Sequence, residues 1–406
     1  MSSDSDSPAG VSESPHPDGG TGQERVDVAE ACVFPRLPTE ISSWEYLSLA
    51  QEEKVARALS RLAHRFGSVE MPASGMRLDV PHARRAIAYY KEQAFESRPE
   101  AFFEPAQDLP KVCVAVPTRL SGGEVLDLSF YSHYRPSYVP FRSEFRALEE
   151  NCTVHARMWR LPKEENLGTI IAIHGWRMGD HRLSALTLIP GFFLKLGLNV
   201  LVYELPYHGR RAPVTQEELT LFPSANIALT NEAFGQAIFD LRSLVSWLEL
   251  EDQKPVGVVG MSLGGYTAAL WASLDRLSFV ACVAPLVSMA EVAWSAVHTQ
   301  KLDEQELGFS EQDLRDAYAL HCPLSYYPRT PHTGRMIIAG LKDGIVPPAQ
   351  PQLLWEHWRR PRIHWLSGGH FGQIVGPGTL HSMHDFLFQL GLAHREPLDI
   401  RGELTR

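Results

Sequence analysis

The run Val258-Val259-Gly260-Met261-Ser262-Leu263-Gly264-Gly265-Tyr266 leaves this chain few ways to fold. An apolar segment meets Gly-x-Ser-x-Gly and passes straight into helix-forming residues, the pattern of a buried strand that turns sharply into a helix with a serine at the bend. Such a bend holds the serine in a strained turn, so that its hydroxyl stands clear of the backbone. Gly260 and Gly264 let strand and helix cross closely where any side chain would clash. Because the pattern is short, its surroundings carry the case.

Those surroundings alternate between strand-like and helix-like segments, which is how a parallel sheet covered on both faces reads. Expected strands are Glu124–Ser132, Thr153–Leu161, Thr169–Ile173, Asn199–Tyr203, Val256–Met261, Phe279–Val283, Arg335–Ala339 and Arg362–Leu366. A strongly amphipathic helix with Phe234, Ala237, Ile238, Leu241, Leu244, Val245 and Leu248 on one stripe falls between the fourth and fifth. A last helix over Leu380–Leu390 turns Phe386, Leu387 and Leu390 inward. The expected fold is α/β, a mostly parallel, doubly wound sheet of about eight strands. Residues 285–331 break into polar helix fragments with Trp294, Leu307, Phe309, Leu314 and Tyr318, and read as a helical lid over the sheet's C-terminal edge, where such sheets place ligands.

The remaining chain divides as follows. Residues 1–30, rich in Ser, Asp, Pro and Gly, read as a disordered tail. Residues 31–120 read as an N-terminal helical extension, with one helix through Trp44, Leu47, Val55, Leu59, Leu62 and Phe66 and another starting at Pro81. The core domain spans 121–392, and 393–406 form a C-terminal tail. No repeat at the period of a propeller is present.

A serine nucleophile needs a base to take its proton, and the base needs an acid to fix its tautomer. Both follow in order. Asp343 lies in Ala339-Gly340-Leu341-Lys342-Asp343-Gly344, a turn directly after an expected strand, and His370 in Ser367-Gly368-Gly369-His370, a glycine-rich loop after the next one. Asp275 is the nearest rival acid but comes too soon after the serine's helix, and Asp-Gly pairs also cap ordinary turns. His381 and His384 sit on the last helix as surface or packing residues. Acyl transfer further needs donors aimed at an oxyanion. The Leu263 amide should supply one. The Trp176 amide, in Ile173-His174-Gly175-Trp176 after another strand, should supply the second, with His174 supporting the loop rather than moving protons.

With these residues in view, the stretch from about Asp127 to Leu392 resembles a serine α/β-hydrolase of the esterase and lipase superfamily. Tyr203-Glu204-Leu205-Pro206-Tyr207-His208-Gly209-Arg210-Arg211 and His174-Gly175-Trp176-Arg177-Met178-Gly179 are most similar to the "α/β-hydrolase domain-containing 18" type. The resemblance implies an α/β-hydrolase fold and cleavage of a carboxylic ester or thioester through an acyl-serine, with Ser262, Asp343 and His370 catalytic. Acyl transfer on the same residues, or a non-catalytic binding protein on the same shell, are the alternatives. The chain departs from lipases with an HGGG loop, and a serine at the bend argues against dehalogenases and epoxide hydrolases, which need aspartate there.

Arg177, Arg182, Arg210 and Arg211 fall in loops at the expected rim and form a basic cluster that could hold a substrate carboxylate or phosphate, and Arg177, Tyr207, Arg210 and Arg211 are the candidate substrate-binding residues. Salt bridges to Asp180, Glu204 or lid carboxylates are the competing reading. A net charge of -10 argues against nucleic acid as a partner. No H-E-x-x-H or carboxylate cluster points to a metal, and the chemistry calls for no cofactor. Five scattered cysteines without C-x-x-C spacing read as reduced thiols. The N-terminus lacks a signal-peptide pattern and no stretch reads as a membrane span, so the expectation is a cytoplasmic enzyme acting on a small-molecule or lipid-like acyl ester.

Overall fold

The computed structural model describes residues 78–105, 108–120, 122–179, 188–213, 222–224, 226–299, 304–370 and 377–394. The expected tail over 1–30, the helix through Trp44 and Phe66, and nearly all of the 393–406 tail lie outside the described residues, as does Arg182.

All eight expected strands form, each within one residue of its expected ends, and two short ones join them. In chain order they are β1 (Cys113–Val114), β2 (Thr118–Leu120), β3 (Gly123–Tyr131), β4 (Thr153–Arg160), β5 (Gly168–Ile173), β6 (Leu198–Tyr203), β7 (Val256–Met261), β8 (Val280–Val283), β9 (Arg335–Gly340) and β10 (Arg362–Leu366). They make one sheet in the order β1-β3-β4-β6-β5-β7-β8-β9-β10, with β2 also paired to β3. From β6 to β10 the pairings are parallel. The first four strands pair antiparallel at one edge. The expected helical extension over 31–120 is therefore corrected at its end, where Cys113–Val114 and Thr118–Leu120 are sheet rather than helix. Strands of two and three residues carry too little periodicity to be read from sequence.

Burial explains the two halves. Strands β5 and β6 are buried at every position and carry the apolar runs Ile170-Ile171-Ala172-Ile173 and Val200-Leu201-Val202-Tyr203, as parallel strands covered on both faces do. In β4 the burial alternates over its first six residues, the mark of a strand with one wet face.

Helices α1 (Val80–Gln93), α4 (Ile227–Glu251) and α5 (Leu263–Leu274) cover one face, and α3 (Pro190–Lys195) and α10 (Pro377–Gln389) the other; α2 (Arg142–Ala147) is a short connector. Helix α1 starts where Pro81 was expected to start it, capped by the Asp79 side chain accepting from the His82 amide. The apolar stripe of α4 faces the core, yet the row Glu232, Gln236 and Asp240 is buried as well. Glu232 accepts from Tyr90 Oη at 2.7 Å, Tyr134 Oη at 2.6 Å and the amides of Ser137 and Tyr138 at 3.0 and 2.8 Å. Gln236 pairs with Asn151 Nδ2 at 2.7 Å. This polar row is what a buried carboxylate requires, since each lone pair lost to water must find a donor.

Residues 285–331 are helical among the described ones, with α6 (Met289–Thr299), α7 (Glu304–Leu307) and α8 (Glu311–Tyr318). Ser310 and Asp313 form a reciprocal capping box on α8. The insertion is fastened to α1: Arg84 Nε donates to Leu307 O at 2.5 Å and Nη2 to Glu306 O at 2.9 Å, while Lys91 Nζ lies 3.1 Å from Asp316. Helix α9 (Ala349–His357) then returns between β9 and β10. Cys113 is disulfide-bonded, which corrects the expectation of five reduced thiols; Cys152, Cys282 and Cys322 are free. Pairings between distant cysteines leave no spacing signal. Among the described residues no helix is long and apolar enough to cross a membrane.

Candidate active site

Ser262 follows β7 and opens α5 with φ 55° and ψ -113°, a backbone region that costs a side-chain-bearing residue of the order of 1–3 kcal/mol. The flanking contacts show why glycine stands on either side. A methyl on Gly260 would lie 2.1 Å from Gly264 O, and one on Gly264 would lie 2.2 Å from Ile173 O. The strand, its helix and the end of neighbouring β5 thus meet at van der Waals distance. Ser262 N–H donates to Val283 O at 2.8 Å, so the sheet's bonding continues into the bend and fixes it.

Asp343 and His370 end the next strands along this edge but one and two. The loops after β9 and β10 are laced together: Leu341 N–H donates to Leu366 O at 2.8 Å and Lys342 N–H to Gly368 O at 3.1 Å. Asp343 Oδ1 accepts from the Ile345 and Val346 amides at 2.9 and 2.8 Å, which leaves Oδ2 to face His370 Nδ1 at 2.7 Å. Both side chains are buried. A carboxylate there favours the proton on Nδ1 and leaves Nε2 as the acceptor. Ser262 shares this edge through the strand order rather than through a hydrogen bond to His370 among the described residues.

Opposite the serine runs the loop after β5. A methyl on Gly175 would stand 3.5 Å from Ser262 Cβ, so this loop lies directly against the bend. Trp176 is half-buried, with Arg177 stacked 5.6 Å from its ring centroid; Arg177 itself is exposed at φ 60°. Leu263 is buried at the first turn of α5, where amides have no partner within the helix. Among the described residues, neither the Trp176 nor the Leu263 amide is engaged by a hydrogen bond.

The loop after β6 departs from expectation. Arg211 is fully buried: its Nη2 donates to Asp240 and Asn151 O, both at 2.9 Å, and its Nη1 to Tyr203 Oη and Glu204 O, both at 3.0 Å. Such a guanidinium has nothing left for a ligand, and the rim role expected for Arg211 is corrected. Tyr207 is likewise fully buried at φ 59°, off the exposed rim where it was expected, and burial pushes its phenol far above the usual range. Arg210 is the partly exposed member and pairs with buried Glu204 at 2.9 Å. Burial also lowers His208 to about 3. The residues that sequence reasoning missed here are Asn151 and Asp240, which bond to this loop; the signal for Asp240 was its four-residue spacing from Gln236 and Glu232 along α4.

The rival acid Asp275 is engaged by Arg242 at 2.8 Å and Trp271 Nε1 at 2.9 Å. His381 is exposed beside Asp385, and His384 is buried against His394 O at 3.3 Å. Among the described residues no group of three His, Cys, Asp or Glu side chains is placed to hold a metal ion.

Comparison with known proteins agrees with this architecture. Residues 146–318 match the family described as alpha/beta hydrolase domain containing 18, a region that includes Trp176, Ser262 and Leu263 and ends before Asp343 and His370. An uncharacterized protein of Mycobacterium tuberculosis is 29% identical over 319 residues, 75% of this chain and 74% of that one. Among solved structures, acetyl xylan esterase 1 from Thermoanaerobacterium sp. superposes with a TM-score of 0.51 at 16% identity, over 75% of this chain and 93% of that one. An acetyl xylan esterase from Paenibacillus sp. gives 0.52 at 13% identity, over 74% and 93%. The fold is that of the α/β-hydrolases.

Proposed function

We propose that the chain is a serine hydrolase that cleaves a carboxylic ester or thioester through an acyl-serine intermediate. The observation that carries this reading is the strained Ser262 bend on the same sheet edge as a buried His370–Asp343 pair at 2.7 Å. His370 Nε2 takes the Ser262 proton as Oγ bonds to the acyl carbon. The carbonyl oxygen becomes an oxyanion facing the Trp176 and Leu263 amides, and His370 passes its proton to the departing alkoxide or thiolate. Water, deprotonated by the same imidazole, then bonds to the acyl carbon, and collapse of this second tetrahedral intermediate breaks the Oγ–acyl bond, releases the acid and returns the imidazolium proton to Ser262 Oγ. Asp343 keeps the proton on Nδ1 and stabilises the imidazolium. This sequence needs no cofactor.

Helices α6 to α8 would wall the acyl pocket, and Arg177 is an exposed cation over the Trp176 ring, so charge reversal at Arg177 should shift preference between neutral and anionic esters. The decisive test is labelling by a fluorophosphonate probe, with Ser262→Ala as control, beside turnover of p-nitrophenyl esters and thioesters of graded chain length. Wild-type labelling that vanishes in Ser262→Ala supports the reading, and an unlabelled wild type ends it.

A further inference from the structure

His174 is buried at the end of β5, and neither of its ring nitrogens has a part in the reaction just described. Leu205 N–H donates to Nε2 at 3.1 Å, so Nε2 is an acceptor and the ring proton sits on Nδ1. That Nδ1–H donates to Gly175 O at 2.8 Å, and Met178 N–H reaches the same oxygen at 3.2 Å. A trans peptide is planar, with C=O and N–H pointing opposite ways. Holding Gly175 O in this pair of bonds therefore turns the Trp176 N–H away from the His174 ring. The backbone of His174 also meets the serine's helix, since a methyl on Gly264 would lie 2.6 Å from His174 O.

We infer that His174 is a positioning residue, whose Nδ1–H sets the Gly175–Trp176 peptide plane so that the Trp176 amide faces the oxyanion. The inference rests on the hydrolase reading and names the side chain that prepares one of its two donors. It assigns His174 a single working tautomer and no proton transfer. Leu205 is the third party, because its amide excludes the Nε2–H form.

Two substitutions separate the ring's two nitrogens. Asn places an amide N–H near the Nδ1 position, and Gln places its amide near Nε2. In the full-length chain, His174→Asn should keep kcat and the fluorophosphonate labelling rate within about tenfold of wild type. His174→Gln should lower kcat by roughly 10²–10³ with little change in KM, the loss expected for one oxyanion donor. Equal effects of the two substitutions, or losses that merely follow a fall in Tm, would overturn the inference while leaving the hydrolase reading intact. An unlabelled wild type would overturn both. A measurement that needs no variant is the ¹⁵N shift pair of the His174 ring near neutral pH: an Nδ1-protonated ring supports the inference, and an Nε2-protonated ring refutes it.

Discussion

Asp343 divides its two carboxylate oxygens between two tasks: Oδ1 accepts from the amides of Ile345 and Val346, and Oδ2 sits 2.7 Å from His370 Nδ1. The backbone bonds fix the acid's rotamer without help from the histidine. A buried carboxylate held this way is oriented before any substrate arrives, which is the arrangement a general base needs from its partner.

Asp343→Asn tests that division. An amide can still accept from the two backbone donors, but it presents N–H toward His370 and drives the imidazole proton onto Nε2. Ester turnover should fall about 10⁴-fold in kcat, with Tm close to wild type and KM little changed. A variant retaining a tenth of wild-type kcat would remove Asp343 from the proposed line.

Arg211 and Arg177 should separate cleanly in stability. Arg211→Ala leaves Asp240 charged and buried without its partner, and urea denaturation should show a loss of about 3–5 kcal/mol. Arg177→Ala, at an exposed position, should stay within about 0.5 kcal/mol of wild type.

Two glycines on the same edge give opposite expectations. Gly264→Ala forces a methyl to 2.2 Å from Ile173 O, and backbone against backbone has little room to yield. It should destabilise by about 3 kcal/mol or more and abolish probe labelling. Gly344→Ala points into open space and should change stability by no more than about 0.5 kcal/mol.

His321 gives a pH signature. Its Nδ1 is 2.7 Å from Tyr266 Oη and its Nε2 is 3.0 Å from Asn231 Oδ1, and burial holds its pKa down to about 3. A folded-state value below the unfolded one means that the unfolded chain takes up a proton first. Its contribution is therefore intact above about pH 6.5 and is lost as pH falls toward 3. The urea-derived stability of wild type should drop more steeply with acid than that of His321→Gln, by about 1.4 kcal/mol per pH unit below 6.5. Parallel curves would refute this.

The sequence by itself determined the eight long strands and their alternation with helices, because hydrophobic periodicity is a local property written within each segment. It also marked the Ser262 bend, since only glycine tolerates the approaches at 260 and 264, and the loop positions of Asp343 and His370. Tertiary structure decided which polar side chains face a ligand and which face the core. Arg210 and Arg211 are neighbours in sequence, yet one is partly exposed on Glu204 and the other is sealed against Asp240, Tyr203 and Asn151. Nothing local distinguishes them, because the difference lies in how far the loop after β6 sinks beneath α4. The same holds for β1 and β2, for the disulfide at Cys113, and for the tautomer of His174, which depends on an amide contributed by a different strand's loop. Long-range partners set the burial and hydrogen bonding of a polar group, and only a folded chain brings those partners within reach.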